Sequence, residues 1–384
     1  MADSNILFHN ARLQLPDGER ADGWLLVKNG IIAEMGWNSA APRMAQSIDV
    51  QGMSLAPGFI DVHTHGALGC DTMDATPQAL QTMARFFARH GVTGFLSTTM
   101  TASTIDVLAA LENIASVQQM GTPGATLLGA HVEGPYVDVE KRGCQNEEYV
   151  RCADRAEYEA LFDTGAVRLI TLAPEFAENQ ALITYACDHG AAVAIGHSRA
   201  SYEEVRQAVS LGASQITHLY NGLESLHHRQ PGVVGAALSM DELDCQLIAD
   251  NIHVHPAVLR LTVRAKSPQR ILLITDAMSG TGQPDGDYTL GGLRVAVRQG
   301  VARIANGALA GSTLTMERAL ANIIAATDLP MHQALPMATS VPAQALGLTH
   351  KGTLALGYDA DIVLLDQDLQ VCLTMVKGQI VYQC

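Results

Sequence analysis

The chain has 384 residues, too many for one small core, and its length suits one large α/β barrel with an appendage or two to three domains. Hydrophobic residues make up 48% and charged residues 16%, a core-rich composition that excludes an intrinsically disordered chain. The net charge of -15, with no Lys/Arg run, argues against a nucleic-acid partner, although one or two local cations suffice for a small anionic substrate.

Residues 5 to 55 read as short strands with Asn/Gly turns ("NILFHNARLQL", "GWLLVKNGIIAEMG", "SIDVQGMSLA"). The first ten residues carry no basic-then-apolar leader pattern, and no later apolar run approaches a membrane span. Seven cysteines are scattered without a CxxC pair, the pattern of free thiols in a reducing compartment. A cytoplasmic protein with no membrane partner is expected.

From residue 57 onward, strand-like and helix-like segments alternate. The strand candidates are "GFIDVH", "GFLSTT", "TLLGAHV", "VRLITLA", "AAVAIGH", "QITHL", "CQLIAD" and "RILLITD", apolar nearly throughout, as parallel strands buried on both faces must be. Helical stretches such as "TPQALQTMARFFARHG", "DVLAALENIASVQQ" and "SYEEVRQAVSLG" separate them; the first opens on a Thr76 cap with Pro77 behind it. The pattern predicts a (β/α)8 TIM-type barrel over 57–349, with an open doubly wound sheet as the alternative. The closing segment, "GTLALGYDADIVLLDQDLQVCLTMVKGQIVYQ", again reads as short strands. Both chain ends, 1–56 and 350–384, are therefore expected to build one small β domain, and the fold class is α/β.

In a barrel the C-terminal strand ends build the site. Here those ends carry His63 and His65, His131 and Glu133, Glu175, His197, His218, His253 and His255, and Asp276, so seven of the 14 histidines fall there. Each has a bland alternative: a loop acid for Glu133, a satisfied core histidine for His197, a turn cap for Asp276. Residues i and i+2 of a strand share a face, so His63 and His65 can meet one ion. Taken together, the residues form a plausible N/O ligand set for a divalent transition metal, zinc foremost. Such an ion suits hydrolysis of an amide or related bond, and Asp276 is the candidate carboxylate to move the proton. The polar loop "VEKRGCQNEEY", with Cys144 and Gln145, can cover the site. Arg229 and the neighbouring His228, in "YNGLESLHHRQPG", suit a phosphate or carboxylate, or are simply an exposed basic loop. The turn in "NGALAGSTLTMERAL" can bind an anion or sugar hydroxyls through backbone N–H groups, or merely cap a helix.

The strings "PGFIDVHTHG", "GAHVEGPYVDVEKRG", "LAPE", "IGHS", "THLYNGLESLHHRQPGVVGAA", "IADNIHVHP", "LITDAMSGTGQPDGDYTLGG" and "GALAGSTLTMERAL" run in order from 57 to 320. In this the chain resembles the amidohydrolase superfamily and, within it, the deacetylases of N-acetylhexosamine 6-phosphates, over nearly its whole length. The resemblance implies a barrel with a small β-sandwich domain from both termini. It implies a principal metal on Glu133, His197 and His218, and Asp276 as acid and base. His253 would contact the substrate, with Asn221, Gly222 and Arg229 on the sugar phosphate and Leu309, Ala310 and Gly311 facing it. The site would be completed across a homodimer by the arginine loop. The metal would be zinc, with iron, cobalt or manganese also compatible, as one or two ions. The implied reaction removes acetate from N-acetylglucosamine 6-phosphate in amino-sugar catabolism, with the galactosamine epimer as the nearest alternative. More distant alternatives are another amidohydrolase or a non-catalytic barrel. Two positions stand out against the family pattern. Gln145 replaces a histidine thought to touch the substrate, and the "HTH" pair is kept where single-ion members have Gln and Asn.

Overall fold

The structure, a computed structural model, describes residues 5–44 and 46–384. Its centre is a barrel of eight parallel strands: β1 (Phe59–Thr64), β2 (Val92–Thr98), β3 (Thr126–Glu133), β4 (Val167–Leu172), β5 (Ala192–Ile195), β6 (Gln215–Ile216), β7 (Asp244–Ile248) and β8 (Ile271–Ile274). Each strand pairs with its predecessor in the chain. The last meets the first beyond the regular ladder: Thr64 bridges Ala277, and the Asp276 N–H donates to the His63 carbonyl at 2.9 Å. That closure rules out the open doubly wound sheet. Every residue of β1, β2 and β8 is buried, since a barrel strand faces packed side chains inside and helices outside.

The helices α1 (Pro77–Arg89), α2 (Thr104–Met120), α3 (Arg155–Asp163), α4 (Ala177–Asp188), α5 (Tyr202–Ser210), α6 (Gly232–Ser239), α7 (Pro256–Ala265) and α8 (Met316–Thr327) alternate with the strands. In α1, Thr76 accepts the Ala79 N–H and Pro77 occupies the first turn, where no N–H is needed. Its Leu80, Met83, Ala84 and Phe87 recur at helical spacing and pack onto the barrel.

Both chain ends join in one hydrogen-bonded sheet of eight strands. Ser54–Pro57 from the N-terminal segment pairs antiparallel with Ile362–Leu365 from the C-terminal one, and parallel with Ile6–Leu15. Phe8, Leu13, Leu25, Ile32, Leu55, Ile362, Leu373 and Met375 form its own apolar core. A third unit escaped the sequence reading. After β8 a three-stranded antiparallel sheet, Gly286–Leu290, Leu293–Arg298 and Val301–Arg303, packs Leu290, Val295, Val297 and Ala302 against Met100 and Met278. The alternation Leu293, Val295, Val297 after a Gly-Gly turn was its signal.

The loop after β3 is tied down by Arg151. It reaches the Ala102 and Tyr149 carbonyls and forms an ion pair with Glu157, which also accepts from Thr104. Burial opposes charge on Glu157, yet the bonds from Arg151 and Thr104 outweigh it and hold its pKa below the usual 4.5. A depressed folded-state pKa means stability that is present above 4.5 and lost as pH falls through the folded value. Glu157→Gln is therefore expected to melt lower than wild type at pH 7, with the gap narrowing below pH ~4.5. Melting curves at both pH values check this; a gap that does not change with pH would remove the ion pair from the account.

Candidate active site

The polar residues of the barrel mouth sit at equivalent places. Glu133 is the last residue of β3, and His63 lies near the end of β1 with His65 just past it. His197, His218 and Asp276 each lie two residues beyond their strand. All three have positive φ, 47°, 28° and 51°, a region that side chains other than glycine seldom adopt. Such strain persists only where the surroundings hold it, and it marks functional positions. Here backbone bonds hold it: Asp138 N–H to the His197 carbonyl at 2.8 Å, Asn221 N–H to the His218 carbonyl at 3.0 Å, and Ser312 N–H to the Asp276 carbonyl at 2.7 Å.

Four imidazoles converge on one carboxylate. Glu133 Oε1 lies 3.0 Å from His218 Nε2, 3.3 Å from His197 Nε2 and 3.4 Å from His63 Nε2. Its Oε2 lies 3.3 Å from His65 Nε2. Asp276 Oδ1 is 3.3 Å from His65 Nε2 and 3.5 Å from His63 Nε2. Two ligand groups share Glu133: His63 and His65 on one side, His197 and His218 on the other. The rings are oriented from behind. His197 Nδ1 donates to the Lys141 carbonyl at 2.9 Å and His63 Nδ1 to Gln246 Oε1 at 3.0 Å, so each ring turns its Nε2 toward Glu133. His197 Nε2 then faces His218 Nε2 at 3.1 Å. With Glu133 they make a compact N/O donor set whose ligand atoms all lie within 4.8 Å of one another, so the residues present fit a metal.

The electrostatics agree. Burial disfavours charge on Glu133, but the surrounding histidines, His63 foremost, keep it ionised, well below the usual carboxylate range. Asp276 is likewise held down against burial by His63 and His65. In return, although burial disfavours a charged ring, the bonds to Asp276 and Glu133 raise His65 to about 10. Two buried carboxylates thus demand positive charge among these rings. On the other side, burial lowers His218, which suits a neutral ligand.

A second layer supports the first, and most of it was not anticipated. Asp61, fully buried, accepts from the His63 and Thr275 N–H groups and the Thr275 hydroxyl, which locks β1 to β8 behind the ligands. Its position two residues before His63, on the same strand face, was the available signal. His131 does not join the centre. It bonds Thr98 and Thr171, packs edge-on to His63 at 4.5 Å between ring centres, and burial keeps it neutral. Glu175 accepts from the Ser198 hydroxyl and Arg199 N–H, bracing the turn that carries His197. Gly222, at φ +60°, is needed for space: a Cβ there would lie 2.9 Å from His197 Nδ1 and 3.0 Å from the Lys141 carbonyl.

A cavity of about 310 Å³ opens over the centre, lined by Cys144, His197, His218, Asn221, Gly222, His253, Asp276, Leu309 and Gly311 among others. His253 Nδ1 bonds Asp250 at 2.7 Å, which leaves Nε2 for a ligand. Ala310, fully buried, holds the Leu309–Gly311 turn to the inserted sheet through an N–H bond to the Ala302 carbonyl. Burial pushes the Cys144 thiol well up, and Asp276 and Glu133 add to this, so it is no thiolate nucleophile. His255 is only the cap of α7. Gln145, one residue from Cys144, lies behind the cavity wall, bonded to Glu133 and Thr101. His228 and Arg229 stand outside the cavity on an exposed loop, paired with each other at 2.7 Å.

Barrel, carboxylate-centred histidines and a rim aspartate together define a metal-dependent hydrolase, and the chain belongs to the amidohydrolase family, whose pattern it matches over residues 54–381. Its relatives narrow the class. N-acetylglucosamine-6-phosphate deacetylase of Vibrio furnissii is 42% identical over 343 residues, 88% of this chain and 86% of that protein. N-acetylgalactosamine-6-phosphate deacetylase of Escherichia coli O157:H7 is 38% identical over 372 residues, 96% of this chain and 97% of that one. Among solved structures, N-acetyl-D-glucosamine-6-phosphate deacetylase from Mycobacterium smegmatis, a mutant in complex with N-acetyl-D-glucosamine-6-phosphate, superposes with a TM-score of 0.94 at 32% identity, covering 99% of this chain and 100% of that one.

The two ligand groups predict two ions. Replacing His63 by Gln and His65 by Asn together is expected to lower bound metal from two ions per chain to one, because Glu133, His197 and His218 keep a complete set. Elemental analysis of both proteins decides; unchanged metal content would leave His63 and His65 without this role.

Proposed function

We propose that the protein hydrolyses N-acetylglucosamine 6-phosphate to acetate and glucosamine 6-phosphate in amino-sugar catabolism. The observation that carries this is the shared Glu133 centre, whose His197 and His218 line a cavity together with Asp276 and His253, in a chain so similar to deacetylases of this substrate class.

Glu133, His197 and His218 would hold one divalent ion, and His63, His65 and Glu133 a second. Zinc suits the imidazole and carboxylate donors, and iron, cobalt or manganese are compatible. When bound, the ion supplies carbonyl polarisation and acidifies water to a pKa of about 7. Asp276, kept ionised by its histidine neighbours, takes a proton from the attacking water at a carboxylate oxygen. The hydroxide oxygen bonds to the acetyl carbon. Asp276 then delivers that proton to the amide nitrogen as the C–N bond breaks, so acetate and the amine leave. The backbone bonds of Asp276 beyond β8, at both its N–H and its C=O, hold it at the cavity lining, where the reacting bond would lie. His253 Nε2 and the Asn221 carboxamide oxygen offer polar contacts to the sugar, and the Leu309–Gly311 turn with Cys144 closes the remaining wall.

The phosphate needs a cation that this cavity's own lining lacks. Arg229, on its exposed loop, would supply it to the site of a second copy in a homodimer. Arg229→Ala is accordingly expected to raise KM about 10- to 100-fold, the cost of one charged hydrogen bond, with kcat little changed. Steady-state kinetics test this, and an unchanged KM would take Arg229 out of the phosphate site. The reading also places the enzyme in the cytoplasm, consistent with seven free thiols.

The similarity to the galactosamine-6-phosphate enzyme supports a second reading in which the epimer is the substrate. Acetate release from both sugar phosphates, measured side by side on metal-analysed protein, separates the two. The account expects the higher kcat/KM for the glucosamine epimer. Release from neither would overturn the deacetylase assignment.

A further inference from the structure

We infer that Gln145 is a positioning residue of the metal centre, which fixes the Glu133 carboxylate in its orientation among the four imidazoles rather than contacting substrate. The loop carrying it is anchored by the Gln145 N–H to the Arg142 carbonyl at 2.9 Å. Gln145 is 3% exposed, while the neighbouring Cys144 lines the cavity. The carboxamide oxygen accepts the Thr101 backbone N–H at 2.7 Å. A flipped amide would set NH2 against that N–H, so the nitrogen end must point the other way. There it donates to Glu133 Oε2 at 2.8 Å.

The consequence follows from carboxylate geometry. The terminal torsion of a glutamate is soft, so by itself Glu133 can rotate its carboxylate plane out of line with the four imidazoles. The Gln145 bond fixes the plane of the carboxylate, with one oxygen toward His197, His218 and His63 and the other toward His65. One N–H uses one lone pair and leaves another on Oε2 for an ion. Because Gln145 is neutral, it orients the carboxylate without adding a positive charge that would compete with the ion. Residues that orient metal ligands in this way are worth about 10- to 100-fold in metal affinity.

This inference rests on the reading of Glu133 as a metal ligand, but its test needs no substrate to be the right one. Zinc affinity of the metal-free full chain is measured by competition with a chromophoric chelator, for wild type and Gln145→Met, which is similar in size and donates nothing. The expected result is zinc affinity lower by about 10- to 100-fold, with KM for N-acetylglucosamine 6-phosphate unchanged when zinc is saturating. Unchanged zinc affinity with a raised KM would overturn it and make Gln145 a substrate contact. Should Gln145→Met fail to fold, Gln145→Asn carries the same comparison: one methylene shorter, it keeps an amide for Thr101 and withdraws the N–H from Glu133. If neither sugar phosphate releases acetate, the deacetylase reading falls while the zinc measurement still decides this one.

Discussion

Asp276→Asn is expected to lower kcat by about 10²–10⁴-fold while the protein keeps its metal. The substitution preserves shape, and the backbone bonds that place residue 276, from its N–H to His63 and from Ser312 to its carbonyl, do not involve the side chain. What changes is basicity. An amide cannot take a proton from water, nor return one to the leaving nitrogen. Asp276 is also not among the groups that assemble a complete ligand set here; those are His63, His65 and Glu133, and Glu133, His197 and His218. Metal analysis alongside turnover therefore separates proton transfer from metal retention. Full turnover in the variant would remove Asp276 from the chemistry, and loss of metal in parallel with turnover would make it a ligand instead.

Glu133→Gln should be the more damaging change for the centre itself. Glu133 belongs to both ligand groups, and its two oxygens are shared among four imidazoles and the Gln145 amide. Replacing one oxygen by NH2 removes a ligand atom and also the charge that offsets the ion in a buried site. Zinc affinity is expected to fall by more than about 100-fold, beyond the cost of losing an orienting neighbour. The variant should stay folded, since the barrel's closing bonds lie between β1 and the segment after β8. Chelator competition and a melting curve test both statements. Wild-type zinc affinity in this variant would refute Glu133 as the shared ligand.

Much of this centre was legible in the chain because parallel barrel strands are apolar on both faces. A histidine or acid that interrupts such a run at its C-terminal end has few places to go except the barrel mouth. His63, Glu133, His197, His218 and Asp276 all follow from that rule. The rule could not separate His253 from His255, because the difference is a helix cap made two residues further on. Nor could it tell that His131 packs among threonines, since inward-facing barrel residues and ligands share the same strand face. The positive φ at three site residues is a tertiary effect without a sequence signature; none of the three is glycine or asparagine. The inserted sheet after β8 was hidden inside strings read for their polar residues. The direction of Gln145 depends on one backbone N–H 44 positions away in the chain, a contact that local spacing does not encode.

In the proposed mechanism a metal centre on Glu133 drives amide hydrolysis. Acetate release from N-acetylglucosamine 6-phosphate by chelator-stripped protein, before and after titration with zinc, tests it most directly. The account predicts that stripping abolishes turnover and that zinc restores it, with activity reaching a plateau as the sites fill. Turnover that survives complete removal of metal would contradict it.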